Sequence, residues 1–241
     1  MMKLGINRFI LCALLWGPSL AFAQTRTLQH YSTGTGFFVG DEGYIVTGNH
    51  VISACNSYTV YAQNATMQAT LVARDMAHDI VVLKSTFPAL SVASFRIPTQ
   101  TLMVGDGLWV LGYPGEAWKT RKAILKKSQL LEFAGMGGEG TLMQFAESVQ
   151  QGNSGGPLMD KSGNVVGMIT AKSTLMQVNK QTNETKTIKK ADIALNLSSI
   201  LDFLEAHHIP FKTSYSDTTL SAEQLESAAQ RFIVNVRCRV D

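Results

Sequence analysis

Nine residues constrain this chain more than any others: Gln150-Gln151-Gly152-Asn153-Ser154-Gly155-Gly156-Pro157-Leu158. Glycine permits backbone conformations that a Cβ forbids, so such a turn can hold a serine hydroxyl in the open. It can also aim backbone N–H groups at one point in space. A nucleophile and donors for an oxyanion are the needs of acyl transfer. A tight surface turn between two strands would use the same residue types, so the stretch alone does not decide. After it come a polar turn, Asp160-Lys161-Ser162-Gly163, and an apolar run, Val165-Val166-Gly167-Met168-Ile169.

Upstream lie Thr47-Gly48-Asn49-His50-Val51 and His78-Asp79-Ile80-Val81-Val82-Leu83. Together the three segments resemble the trypsin-like serine peptidases, and among them the bacterial HtrA/DegP type and its simpler relatives without PDZ domains. The resemblance covers residues 33–211.

An alcohol is a poor nucleophile at neutral pH and needs a base. Histidine can accept and later return the proton. Of the five histidines, His30 lies in a lead-in, and His207 and His208 end a predicted helix, where the dipole favours a cation. His78 adjoins Asp79 without a motif of its own. His50 follows a β-rich hairpin in a segment resembling the family's Thr-x-x-His-Val, and is the expected base. Asp79 directly precedes an apolar strand and is the expected orienting carboxylate, held rigidly in a dry place. Its competitor, Asp75, lies in a polar turn. The order His50, Asp79, Ser154 is that of chymotrypsin-type enzymes, not of α/β-hydrolases or subtilisins.

The resemblance also implies oxyanion donors, the backbone N–H groups of Gly152 and Ser154. It places Ser148, six residues before the nucleophile, at the floor of the pocket for the side chain preceding the cut. An uncharged floor does not offset the desolvation of Lys or Arg. Cleavage after small aliphatic or aromatic residues is therefore expected.

The N-terminus carries Lys3 and Arg8, an apolar run over 9–16, a break at Gly17-Pro18, and Ala21-Phe22-Ala23. That is the pattern of a signal peptide, over residues 1–23, cut after Ala23. The run is shorter than the roughly 20 residues that span a bilayer. A periplasmic or secreted protein with no membrane attachment in its mature form is expected. Loss of Lys3 and Arg8 takes the formal charge from +3 to +1, which points to no nucleic acid and no anionic membrane. The partner is a polypeptide substrate; the oligomeric state stays open.

Export leaves Cys55 and Cys238, and an even count in an oxidising compartment suggests one disulfide; two buried free thiols are the alternative. Two distant cysteines and scattered histidines have no zinc spacing. The glycine-rich 135–140 segment lacks the Lys-Ser/Thr of a phosphate loop. No metal and no cofactor are expected.

With 241 residues the chain has room for one large domain or two small barrels sharing a core. Strand candidates fall at 35–39, 44–47, 57–62, 66–73 and 80–83, with 87–98 irregular and crossing between halves. Others fall at 108–112, 141–146, 165–171 and 191–195, with 116–127 a basic loop or hairpin and 177–190 a hairpin tip. Helical spacing over 197–207 is capped by Asn196 or Ser198 and ended by Ile209-Pro210. Ser221 to Gln224 fits a capping box for a short helix, and 232–238 alternates like a strand that pairs near Cys55. The resemblance implies an all-β fold: two six-stranded antiparallel β-barrels of the trypsin-like kind, a C-terminal helix, and a helix–strand tail. The peptidase domain would be 24–211, with barrels at about 33–98 and 99–195 and a helix at 197–208; 212–241 would pack on it as a tail. An exported serine endopeptidase is the expected function. A non-catalytic binding protein or chaperone on the same fold, and an esterase with the same triad, are the rivals.

Overall fold

The computed structural model describes residues 30–134, 141–146, 149–178 and 185–240. The predicted leader with its cut after Ala23, the 135–140 segment and Ser148 lie outside the described residues.

Five antiparallel strands come first: β1 (His30–Gly40), β2 (Tyr44–Gly48), β3 (Ser57–Tyr61), β4 (Thr66–Asp75) and β5 (Ile80–Ser85), with one helical turn, α1 (Asn49–Ile52), after β2. Then follow β6 (Ser94–Arg96), β7 (Gly107–Gly112), the short helix α2 (Ala117–Thr120), β8 (Ile124–Ala134), β9 (Leu142–Phe145) and β10 (Pro157–Met159). A long hairpin of β11 (Val165–Val178) and β12 (Thr185–Asn196) leads into α3 (Leu197–Ala206). The last elements are β13 (Lys212–Ser214), α4 (Ala222–Ala229) and β14 (Ile233–Val240).

The alternation that marks half-buried strands is plain in β4, where Met67, Ala69 and Ala73 are buried and Thr66, Gln68 and Thr70 exposed. The alternation lapses at exposed Leu71, where the register with β5 shifts between Leu71 and Ala73.

The first barrel closes in the order β1-β14-β3-β4-β5-β2. Its sixth stave is thus the last strand of the chain, antiparallel to both neighbours, with Gly34 and Val60 on either side of Val236. The barrel is therefore not confined to 33–98, and the tail is built into it rather than packed on it. The reason lies in the connection between the halves. Residues 87–98 form only the three-residue β6, which pairs in parallel with β11 and β13. β14 fills the vacant place with four buried apolar residues, Ile233, Val234, Val236 and Cys238. At roughly 1.5–3 kcal/mol per buried aliphatic side chain, that burial is comparable with the whole net stability of a domain.

The second barrel runs β7-β8-β9-β12-β11-β10 and closes through pairing of β10 with both β7 and β11. Leu108, Val110, Leu130, Phe145, Leu158 and Ile169 fill one core, and Phe37, Ile45, Val60, Val81 and Val236 belong to the other. Ile200, Leu201, Phe203 and Leu204 form the buried face of α3. Asn196 caps that helix by accepting the Ser199 N–H at 2.9 Å, and the Ser198 hydroxyl donates to the same oxygen. Ser221 and Gln224 make the reciprocal capping box of α4. A disulfide joins Cys55 to Cys238. Among the described residues no helix is long and apolar enough to cross a membrane.

Candidate active site

β2 and β5 are neighbours, with Gly48 opposite Ile80. The residues just past the end of β2 and just before β5 therefore meet, and these are His50 and Asp79. Three bonds fasten them. The His50 Nδ1 and the Asp79 Oδ2 lie 2.6 Å apart. The His50 N–H donates to Asp79 Oδ1 at 2.9 Å, and the Asn49 N–H donates to the Asp79 carbonyl at 3.1 Å. An ionised carboxylate only accepts, so Nδ1 carries a proton, and in the neutral imidazole Nε2 is then the acceptor. Asp79 has φ +56°, in the left-handed region that Asp tolerates better than most residues.

The dry setting expected for Asp79 is not found. Its side chain is 28% exposed and that of His50 45%, because the pair stands at the ends of the strands and not inside the barrel. Asp75 is engaged elsewhere. Its Oδ2 lies 2.6 Å from His78 Nδ1 and its Oδ1 accepts the N–H groups of Ala77 and His78.

The Ser154 loop packs against the strand end that leads to His50. Gly155 has φ +80°, and a Cβ there would lie 2.3 Å from the Thr35 carbonyl oxygen, 2.3 Å from the Thr47 hydroxyl and 2.7 Å from the Gly48 nitrogen. Gly34 lies between the Val51 side chain and the Ser154 carbonyl, where a Cβ would approach to 2.7 and 2.9 Å. The peptides that carry the expected oxyanion donors are pinned by their carbonyls. The Gly115 N–H donates to Gln151 O at 2.8 Å, and the Gly156 N–H to Asn153 O at 2.9 Å. In a planar trans peptide the N–H points away from the carbonyl. The N–H groups of Gly152 and Ser154 are thus turned from these anchors, and among the described residues neither donates to a protein acceptor.

Two residues near the site escaped the sequence reading. Thr35 is buried beneath the loop. Asp192 on β12 is 1% exposed, and its Oδ2 accepts the Val149 N–H at 2.6 Å, next to the position of Ser148. Its signal was a lone acid in Ala191-Asp192-Ile193-Ala194-Leu195.

The family model of the trypsin-like peptidase domain matches residues 34–168. A protein of Sinorhizobium fredii, y4bJ, is 31% identical over 208 residues, which are 86% of this chain and 32% of that protein. A probable periplasmic serine endoprotease, DegP-like, from Bartonella henselae is 35% identical over 150 residues, 61% of this chain and 29% of that one. The chain thus spans about a third of the length of these curated relatives. Among solved structures, the serine endoprotease from Yersinia pestis is similar with a TM-score of 0.55 and 25% identity, over 72% of this chain and 57% of that chain.

Proposed function

This chain belongs to the trypsin-like peptidase family, and from that premise we propose that it is a serine endopeptidase of the HtrA/DegP type acting through Ser154, His50 and Asp79. The observation that carries the reading is the 2.6 Å contact of His50 with Asp79 on the strand end that the Ser154 loop packs against.

In this mechanism His50 Nε2 takes the Ser154 hydroxyl proton as Oγ attacks the scissile carbonyl carbon. The N–H groups of Gly152 and Ser154 receive the oxyanion. His50 then gives the proton to the leaving amine, and the peptide C–N bond breaks to leave an acyl-enzyme. Water, deprotonated by His50, cleaves the ester and restores Ser154. Asp79 holds the imidazole in its tautomer and stabilises the imidazolium. The reaction needs no cofactor.

The substrate side chain has two readings. An uncharged Ser148 favours small aliphatic or aromatic residues before the cut. The buried carboxylate of Asp192, bonded to the N–H of Val149, the next residue in sequence, favours a basic residue, whose desolvation an anion offsets. A peptide-library profile separates them: a Lys/Arg preference that disappears in Asp192→Asn supports the second reading, and a profile unmoved by that substitution supports the first.

Export belongs to the proposal, with residues 1–23 removed after Ala23 and the periplasm or the medium as compartment. The DegP-like relative is described as periplasmic, and the disulfide fits an oxidising compartment. The direct test is a fluorophosphonate probe on the parent and on Ser154→Ala, with the label located by mass spectrometry. Label on Ser154 that is absent from the variant is the expected result. A folded parent that takes no label, even with unfolded polypeptide present, would instead be a binding protein on this fold.

A further inference from the structure

We propose that Thr35 is a positioning residue that sets the conformation of the oxyanion-forming loop, with Asn235 of the last strand holding it in place. The inference rests on the reading of Gly152 and Ser154 as oxyanion donors.

Thr35 is fully buried on β1. Its N–H donates to the Ser154 carbonyl at 2.8 Å. Its hydroxyl donates to the Gly152 carbonyl at 2.6 Å and accepts the Tyr113 N–H at 3.1 Å. Its own carbonyl accepts the Thr47 hydroxyl at 2.6 Å. One residue of the first barrel therefore holds the carbonyls of both donor residues and ties in the turn that follows β7 of the second barrel. The hydroxyl serves as donor and acceptor at once. Valine keeps the shape of the side chain and loses both bonds; serine keeps both.

Gly152 is where this matters most. It has φ +100°, and a Cβ would lie 2.2 Å from the Tyr113 carbonyl oxygen. A glycine lets the peptides on either side of it turn at little steric cost, so their orientation must be imposed from outside. Without the Thr35 hydroxyl the buried Gly152 carbonyl is left unpaired, and the cost of that drives the peptide to seek another partner. The donor groups then lose their common aim.

Behind Thr35 stands β14. Asn235 is 1% exposed. Its Nδ2 donates to the Gly34 carbonyl at 2.7 Å and to the Thr33 hydroxyl at 2.9 Å. The Gly34 carbonyl and the Thr35 N–H belong to one peptide plane and point in opposite directions. Fixing the first aims the second at Ser154. A side-chain amide of the tail thus acts on the nucleophile's backbone through a single peptide unit.

The test uses the full chain as parent, Thr35→Val, Thr35→Ser and Asn235→Ala, each checked by circular dichroism and melting. The readouts are hydrolysis of a p-nitrophenyl ester and the rate of Ser154 labelling by a fluorophosphonate across probe concentrations. Thr35→Val is expected to lower kcat and the saturating labelling rate roughly tenfold to a hundredfold, with KM within about threefold, because oxyanion donors act on the transition state and not on the bound substrate. Thr35→Ser recovers most of that rate, and Asn235→Ala shows a smaller loss of the same kind. A folded Thr35→Val that reacts as fast as a reactive parent, or that changes KM alone, overturns the inference and leaves the Ser154 reading standing. A parent that takes no label removes both. Should Thr35→Val not fold, a folded Asn235→Ala decides: a slower rate at unchanged KM supports the inference, and an unchanged rate overturns it.

Discussion

The sulfur of Cys238, on the last strand, is bonded to that of Cys55, which lies five residues past His50. The crosslink spans 183 positions of sequence. A loop of that length corresponds to about 5 kcal/mol in the chain-entropy model, and native bridges commonly deliver less. The double variant Cys55→Ala/Cys238→Ala is expected to melt about 5–15 °C below the parent. Scans with and without reductant check it: the parent should fall toward the variant, and the variant should not move.

Asp79→Asn should separate folding from catalysis. Asparagine tolerates the left-handed φ of +56°, so the turn survives. The neutral amide no longer selects the Nδ1–H tautomer of His50, and kcat should fall about 10⁴-fold. Asp75→Asn, at a carboxylate bonded to His78, should leave the rate where it was. Paired kinetics on the two variants test the assignment.

Asp75 makes a pH-dependent contribution of its own. The bond with the His78 side chain comes first, and the N–H groups of His78 and Ala77 add to it, holding the carboxyl below its ordinary 3.8. A depressed folded pKa stabilises the protein above the unfolded value, and that stabilisation is lost as the pH falls through the folded value. Melting curves should show the parent more stable than Asp75→Asn at neutral pH. The gap should narrow below 3.8 and close once the folded carboxyl is protonated. A third of this side chain is exposed, so the gap is small.

How much of this could be read from the chain follows from how far apart the partners lie. His50 and Ser154 stand in short segments whose composition is itself the signal. Asp75 and Asp79 share one turn, and the apolar strand that follows Asp79 points to it, while the pairing of β2 with β5 is what brings it to His50. Thr35 and Asn235 carry no local mark, because their bonds to Gly152 and Gly34 span 117 and 201 positions. The alternation in 232–238 announces a strand and Cys238 points it toward Cys55, where it does pair with β3, but nothing local says that it also pairs with β1 and closes the first barrel. The hairpin of β11 and β12 reads short because its outer part is polar and rich in lysine, which looks like a loop.

Two glycines with similar backbone angles should respond differently to alanine. At Gly155, with φ +80°, the new Cβ meets backbone and a buried hydroxyl at 2.3 Å, so Gly155→Ala should abolish labelling of Ser154 and lower the melting temperature. At Gly163, with φ +82°, it meets only the ends of Leu225 and Leu220, at 3.2 and 3.7 Å. Gly163→Ala should cost about 1–2 kcal/mol of left-handed strain and leave labelling intact. Probe gels run beside melting curves distinguish the two.

Of the six staves of the first barrel, β14 comes last in sequence, after every strand of the second barrel. Until it docks, β1 and β3 face each other as unpaired edges, the kind of surface that recruits stray strands. His50 sits on a segment not yet crosslinked, and Thr35 lacks the amide behind it. The finishing of the site is thereby tied to the docking of one strand that lies far from it in sequence.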